Sequence, residues 1–450
     1  MTVATVASTF GVGLILGAYS FRRRPWMTER TYAAMNAGGS ACATIGSMLI
    51  GFVPFVVLEG TWCAVSVRDL VVARRPRPTD ADHEERLMTT HHRPPALDRS
   101  TLDSLRAPQP EARSMPPAMF IDPDVFRHES SVVFERSWLP IAHVSDLAEP
   151  GDYVATTIAD EPIAVVRRAD GSLGAMANVC QHRNATILDG RGSVRAIQCP
   201  YHLWTYRLDG SLAAAPDMPT GTGFDPATVC LPAYAVEEWR GFVFVNLDPN
   251  ASPLAEILAD LDEVVGDWGL EQMTRTHTLS YPSPWNWKIS VENALESYHH
   301  AGTHRHTLDS TFPGKRSRAR DTSTYHWGIL DHESVVDGLD GFVVLAVFPT
   351  FVIAYNPPSS CVWLEVRPLA FDQSVLDIHI LVDPATDPDG SGAEFLAQSM
   401  VEINAEDIDV NTRTWRGMHS RAAVAQHASP LEGLCWQFRR WLADHLDVGE

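Results

Sequence analysis

Two sets of side chains in this 450-residue chain have types and spacings that suit chemistry. The first runs from Cys180 to His202 in the pattern C-x-H-x16-C-x2-H, so that Cys180 and His182 form one pair and Cys199 and His202 another. Each pair can aim a thiolate and an imidazole at one small volume from the tip of a loop. Two sulfurs and two nitrogens suit either one tetrahedral zinc or a [2Fe–2S] cluster with both cysteines on one iron and both histidines on the other. Zinc sites of mixed type usually pair Cys with Cys and His with His on a short ββα unit. Here each half mixes the two and the flanks read as strand and turn, which favours the cluster.

The second set is Glu296, His299 and His304, within Trp287-Lys-Ile-Ser-Val-Glu-Asn-Ala-Leu-Glu-Ser-Tyr-His-His-Ala-Gly-Thr-His304. Positions i and i+3 share a helix face, so Glu296 and His299 can point into one cavity, and Gly302 lets the chain break to bring His304 round. Two imidazoles and one carboxylate with open positions bind non-heme Fe(II) for oxygen chemistry. The carboxylate is left to be chosen. Glu296 is near in sequence, a distant acid would better complete a facial triad, and Asp407 in Ala405-Glu-Asp-Ile-Asp409 is the best candidate, with Glu406 and Asp409 as competitors. His300 and His306 read as ordinary core or surface histidines, and His91-His92 as solvated.

The elements that must carry these residues follow from pattern. Short strands with turn signals at Tyr153–Ile158, Ile163–Arg167 and Leu173–Val179, an Asp-Gly turn at Asp209-Gly210, and a buried strand at Trp239–Asn246 define an all-β unit whose hairpin tips hold the cysteines and histidines. After Asp248-Pro249 come a helix at Leu254–Trp268, a strand near Thr276–Tyr281 and the helix bearing the second set. Long β-rich runs then follow at Phe342–Phe348, Phe351–Tyr355, Val362–Val366 and Val375–Val382, with closing helices over Phe395–Met418 and Leu431–His445. The fold class is α+β, with an antiparallel sheet wrapped by helices in the second domain. Trp327, Phe342, Phe348, Phe351 and Trp363 are candidates to line its pocket.

Residues 1–75 differ from the rest. Val3–Tyr19, Ala33–Ile50 and Phe55–Val72 are apolar, and clusters at Arg22–Arg24 and Arg74-Arg75-Pro76-Arg77 flank them. Three short transmembrane spans would place both basic clusters on the cytoplasmic side. The region also resembles a small bacterial multi-span membrane domain of unknown function. Residues 76–117 are polar and proline-rich and read as a linker. The expected boundaries are thus 1–75, 76–117, 118–250 and 251–450. A formal charge of -21 argues against a nucleic-acid binder, because phosphate would be repelled. Seven cysteines with no paired framework point to a reducing compartment.

Cys180–His202 followed by Glu-Asn-x2-Glu-x-Tyr-His-x4-His resembles the alpha subunits of Rieske non-heme iron oxygenases, the ring-hydroxylating oxygenase family, over about Pro116 to the C-terminus. The resemblance implies a [2Fe–2S] cluster on Cys180, His182, Cys199 and His202, and a mononuclear Fe(II) on His299, His304 and Asp407. It places Glu296 as a bridge to a cluster histidine of a neighbouring subunit, and Asn293 and Tyr298 beside the iron site. It implies O2 and a small organic substrate, electrons from an NAD(P)H-dependent reductase or ferredoxin, and a homo-oligomer, by resemblance a trimer. Asn184 and Leu203 depart from the pattern at glycine-type positions, and Glu296 is Glu where many members have Asp. The Glu form recurs in members acting on quaternary amines. The runner-up is a membrane-anchored Rieske electron carrier of a quinol-oxidising complex. Against it stand the lack of an extra cysteine in each metal loop and the whole domain that follows.

Overall fold

The computed structural model describes residues 94–447 except 219–222, 267 and 323. The three expected spans within 1–75, the first part of the expected linker and His91-His92 lie outside the described residues. Among the described residues, no helix is long and apolar enough to cross a membrane. These residues belong to the unit spanning 93–450.

A seven-stranded sheet carries the first metal loops. Its strands are β1 (Leu139–His143), β2 (Asp152–Ile158), β3 (Glu161–Arg167), β4 (Leu173–Ala177), β5 (Arg191–Ser193), β9 (Ala233–Trp239) and β10 (Phe242–Asn246), in the order β1-β10-β9-β4-β3-β2-β5. A three-stranded sheet of β6 (Ile197–Gln198), β7 (Thr205–Tyr206) and β8 (Leu212–Ala214) lies between β5 and β9 in sequence. Successive strand side chains point to opposite faces, and here both faces are covered. Ile163 and Val165 enter the main core, whereas Ala164, Val166 and Met176 pack with Cys180, Cys199, Trp204 and Tyr206. The alternation therefore gives the metal loops their own apolar floor.

Trp239–Asn246, expected as one buried strand, is instead two strands joined by a tight turn. Arg240 and Gly241 take φ of 48° and 83°, and Phe242 pairs with Trp239. The turn is left-handed at both central residues, which matches the twist of the flanking strands. It sends Phe242 and Phe244 into an aromatic cluster with the second domain, where Phe242 meets Phe351 and Trp363 edge-on at 4.8 and 5.4 Å. Each such pair contributes ~0.5–1.5 kcal/mol beyond simple burial.

The second domain is an antiparallel sheet of β11 (Thr274–Ser283), β12 (Arg318–Ala319), β13 (Trp327–His332), β14 (Phe342–Val347), β15 (Phe351–Asn356), β16 (Ser360–Ala370) and β17 (Gln373–Val382), ordered β11-β17-β16-β15-β14-β13-β12. Three helices position its chemistry. Trp287–Ala294 is capped by Asn286, whose side chain accepts from the Lys288 amide, and it buries Trp287 to Val291. Ser391–Met418 packs on β11, β17 and the Trp287 helix. Gly433–Leu446 packs on β13.

Residues 94–117 correct the linker expectation. Pro95 opens a single turn and Asp98 caps the helix Arg99–Leu105, accepting from the Thr101 amide at 2.7 Å. Leu97, Leu102, Leu105 and Met115 are fully buried in the main core. Arg106 bonds Asp444 at 2.7 Å and the Ala443 carbonyl at 2.9 Å. The prolines here serve as starts of turns, where a missing N–H costs nothing, and the leucines between them supply the anchoring.

Candidate active site

The two Cys-plus-His loops are built alike. In the first, the Cys180 amide donates to Ala185 O at 2.9 Å and the Asn184 amide to Cys180 O at 3.0 Å. In the second, the Cys199 amide donates to Trp204 O at 2.8 Å and the Leu203 amide to Cys199 O at 3.1 Å. Each turn needs a left-handed residue, and Asn184 and Leu203 take φ of 58° and 60°. These are the two positions where the sequence lacks the expected glycine, so the loops keep their shape against local strain.

Both thiols are buried, while His182 is exposed and His202 half-exposed. The two imidazoles face each other with centroids 4.7 Å apart, and Trp204 stacks on His182 at 4.8 Å. Tyr206 Oη accepts from the Gln181 amide at 3.0 Å, which leaves its proton to donate to Cys180 Sγ at 3.4 Å. Burial first, and the Cys180 contact second, push the Tyr206 phenol up, so it stays a donor. Hydrogen bonds to cluster sulfurs tune the reduction potential. Trp204 and Tyr206 had no individual signal in the sequence.

The second site forms where the Trp287 helix ends. Leu295 is its C-cap, and residues 296–304 continue as irregular turns in which the Thr303 amide donates to His299 O and the His304 amide to His300 O. The shared helix face expected for Glu296 and His299 is absent for this reason. Glu296 instead lies behind His299, accepting from the His299 amide at 3.1 Å and from Nδ1 at 2.7 Å. Glu406 stands behind the His304 ring in turn, with Oε2 2.7 Å from Nδ1. Both rings thereby turn Nε2 toward Asp407, whose Oδ1 lies 3.7 Å from His299 Nε2 and 3.0 Å from His304 Nε2. The donor atoms of His299, His304 and Asp407 all fall within 4.8 Å of one another. Asn293 donates to Asp407 Oδ1 at 3.1 Å.

The competing acids are thus sorted. Glu406 supports His304 from behind, with a further bond from Thr307, and Asp409 is an exposed partner of Arg413. Glu406 in this supporting role escaped the sequence reading, which weighed it only as a competitor of Asp407 for the ligand position. Tyr298 is 60% exposed at the surface. His300 is buried, bonded to Phe312 O at 3.2 Å and stacked on His332. Burial disfavours protonation of His304, but its hydrogen bonds to Asp407 and Glu406 outweigh this and raise its pKa.

A cavity of about 720 Å³ opens beside these donors. His299, His304 and Asp407 form one wall, and most of the others are apolar. Of the five aromatics expected to line it, only Phe342 does. Trp327, Phe351 and Trp363 pack in the interdomain aromatic cluster, and Phe348 packs in the main core against Phe438 and Trp441.

An all-β domain with paired Cys and His loops, followed by a helix-wrapped sheet with a His–His–carboxylate site, is the arrangement expected from the resemblance of the sequence to Rieske oxygenase alpha subunits. Residues 137–235 match the family model for the Rieske [2Fe-2S] domain, and residues 270–448 match that for the ring hydroxylating alpha subunit (catalytic domain). A further family model matches residues 4–77. Residues 137–235 and 270–448 are thus similar to a Rieske domain and to a ring-hydroxylating catalytic domain, and these two domains imply a [2Fe–2S] cluster and a mononuclear non-heme iron.

The carnitine monooxygenase oxygenase subunit of Acinetobacter pittii is 38% identical over 44% of this chain and 54% of the relative. The glycine betaine monooxygenase oxygenase subunit of Chromohalobacter salexigens is 35% identical over 47% of each. The chain therefore spans about half the length of these curated relatives. A crystal structure of a quaternary ammonium Rieske monooxygenase superposes with a TM-score of 0.70 at 24% identity, covering 80% of this chain and 100% of that one, a likeness of fold.

Proposed function

We propose that this chain is the terminal component of an oxygenase that uses O2 and electrons relayed from NAD(P)H, through a reductase or ferredoxin, to hydroxylate or oxidatively demethylate a small organic substrate. The observation that carries this reading is the convergence of His299, His304 and Asp407 within 4.8 Å on the wall of a large apolar cavity, in a chain that also has a Rieske domain. When bound, the cluster supplies electrons singly and the ferrous ion supplies O2 activation. A quinol-complex electron carrier has no use for such a cavity.

The roles of the residues follow from the geometry. Cys180 and Cys199 would hold one iron of the cluster in the buried floor, and His182 and His202 the other at the surface, where an electron donor can approach. His299, His304 and Asp407 would hold the mononuclear iron. Glu296 and Glu406 keep a proton on Nδ1 of each imidazole, so that Nε2 presents its lone pair to the metal. Asn293 orients the Asp407 carboxylate. The apolar walls exclude water from the reacting centre.

Glu296 is partly exposed, 16% by side chain, and is assigned as the bridge to a cluster histidine of a neighbouring subunit in a homo-oligomer. Residues 1–75 are assigned as a membrane anchor that leaves the oxygenase part in the cytoplasm, an assignment supported by the sequence pattern alone.

Iron and sulfide analysis with EPR on anaerobic full-length protein tests the reading. The expected result is a [2Fe–2S] cluster plus one further iron per chain, with Asp407→Ala losing only the latter. Zinc in place of iron, or a cluster without the further iron, overturns it.

A further inference from the structure

We propose that His300 is a specificity-determining residue of the cavity: its Nε2 accepts a hydrogen bond from a hydroxyl or N–H group of the substrate, beside the metal donors. This deepens the oxygenase reading above by naming a feature the substrate must carry, and its test needs only the cavity.

His300 lies between the two histidine donors in sequence, and its ring lies beside theirs, with centroids 5.1 Å from His299 and 5.6 Å from His304. Its Nδ1 is 3.2 Å from the Phe312 carbonyl oxygen. A carbonyl oxygen only accepts, so Nδ1 carries the proton and Nε2 of the neutral ring carries the lone pair. The setting of the ring is fixed by its neighbours. His332 stacks on it at 5.5 Å and 17°, and Phe342 stacks on His332 at 4.0 Å and 9°. All three rings line the cavity. An acceptor held in this way loses little freedom when a ligand binds it.

Three buried polar groups of the wall differ in reach. The Nε2 of His332 and the amide nitrogen of Asn404 are unpaired but sealed beneath the wall. His300 Nε2 has no protein partner among the described residues and is not sealed with them. The residue is 4% exposed, and that opening is to the cavity it lines. The acids nearest in the site are engaged elsewhere, Glu296 with His299, and Glu406 with His304 and Thr307. Before a substrate arrives, water can satisfy Nε2. A substrate that excludes this water must replace its hydrogen bond or leave a buried acceptor unmade. A site of this kind rejects a ligand lacking the donor far more strongly than an apolar pocket rejects one methyl group more or less. Leu308, Phe312 and Phe342 give the substrate contact without direction, and His300 supplies the direction.

Ligand-observed NMR titration of the anaerobic, iron-loaded full chain with two matched pairs of probes tests this. The pairs are indole with 1-methylindole, and 3-phenylpropan-1-ol with its methyl ether. The donor-bearing member of each pair is expected to bind at least fivefold more tightly than the methylated one. His300→Phe keeps the ring stack and removes the acceptor, and it is expected to bring each pair within twofold by weakening the donor-bearing member alone. His300→Leu is read in the same way if the Phe variant does not fold. Asn411→Leu, at a lining residue one turn beyond Asp407, is expected to leave the preference intact. A preference that survives the loss of His300, one that vanishes in Asn411→Leu, equal weakening of both members, or no binding of either donor-bearing probe overturns the assignment. Iron analysis of the wild-type sample is a separate arm: a missing mononuclear iron with the preference intact overturns the oxygenase reading alone.

Discussion

Glu296 and His299 are bound to each other and not side by side to a common ion: Glu296 Oε1 lies 2.7 Å from His299 Nδ1, on the far side of the ring from Asp407. Glu406 mirrors it on His304. A carboxylate behind a ligating imidazole fixes the tautomer and raises ligand basicity, and its loss typically weakens a metal site ~10–100-fold. Glu296→Gln and Glu406→Gln should each lower iron affinity by about that factor, read by titrating iron into apo protein. Asp409→Asn, on the exposed face, should leave it unchanged.

Lys288 and Glu129 form a fully buried ion pair at 2.6 Å, and Trp287 Nε1 also donates to Glu129 at 2.9 Å. The pair ties the Trp287 helix to the segment that precedes the first sheet. Removing one partner strands a buried charge and costs about 3–5 kcal/mol. Lys288→Met should therefore lose that much in urea unfolding, and adding Glu129→Leu should recover part of it.

His332 should make the fold acid-sensitive. Burial first, then the neighbouring His300 and His299, depress its pKa from 6.5 to about 3. The unfolded chain takes up this proton near pH 6.5 and the folded chain does not. Stability therefore falls as pH drops from about 6.5 toward 3, by at most about 1.4 kcal/mol per pH unit for this group. His332→Gln should flatten the loss between pH 7 and 5 in denaturant titrations.

The left-handed turns predict a stabilising change. Leu203 holds φ 60° with half its side chain exposed, a conformation that costs a branched residue ~1–2 kcal/mol. Leu203→Gly should raise stability by about 0.5–1 kcal/mol once the entropy of glycine is subtracted. Asn184→Gly should gain less, because Asn tolerates this region. Thermal melting of the paired variants measures the difference.

What the sequence determined by itself is the chemistry. Ligand types and their spacing are local, so C-x-H-x16-C-x2-H and His299-x4-His304 could be read along the chain, as could most strands, whose apolar alternation is also local. Tertiary structure decided everything that depends on which face meets which. Asp407, more than a hundred residues from His299, joins the site only because the Ser391–Met418 helix packs on the Trp287 helix. The choice between Glu406 and Asp407 turns on which adjacent side chain lies behind an imidazole and which before it. The prolines at 94–117 suggested open chain, yet leucines between them find a core whose other half lies at the C-terminus. Phe342 lines the cavity while Trp363 does not, since strand periodicity sets alternation but not which side of the sheet holds the cavity.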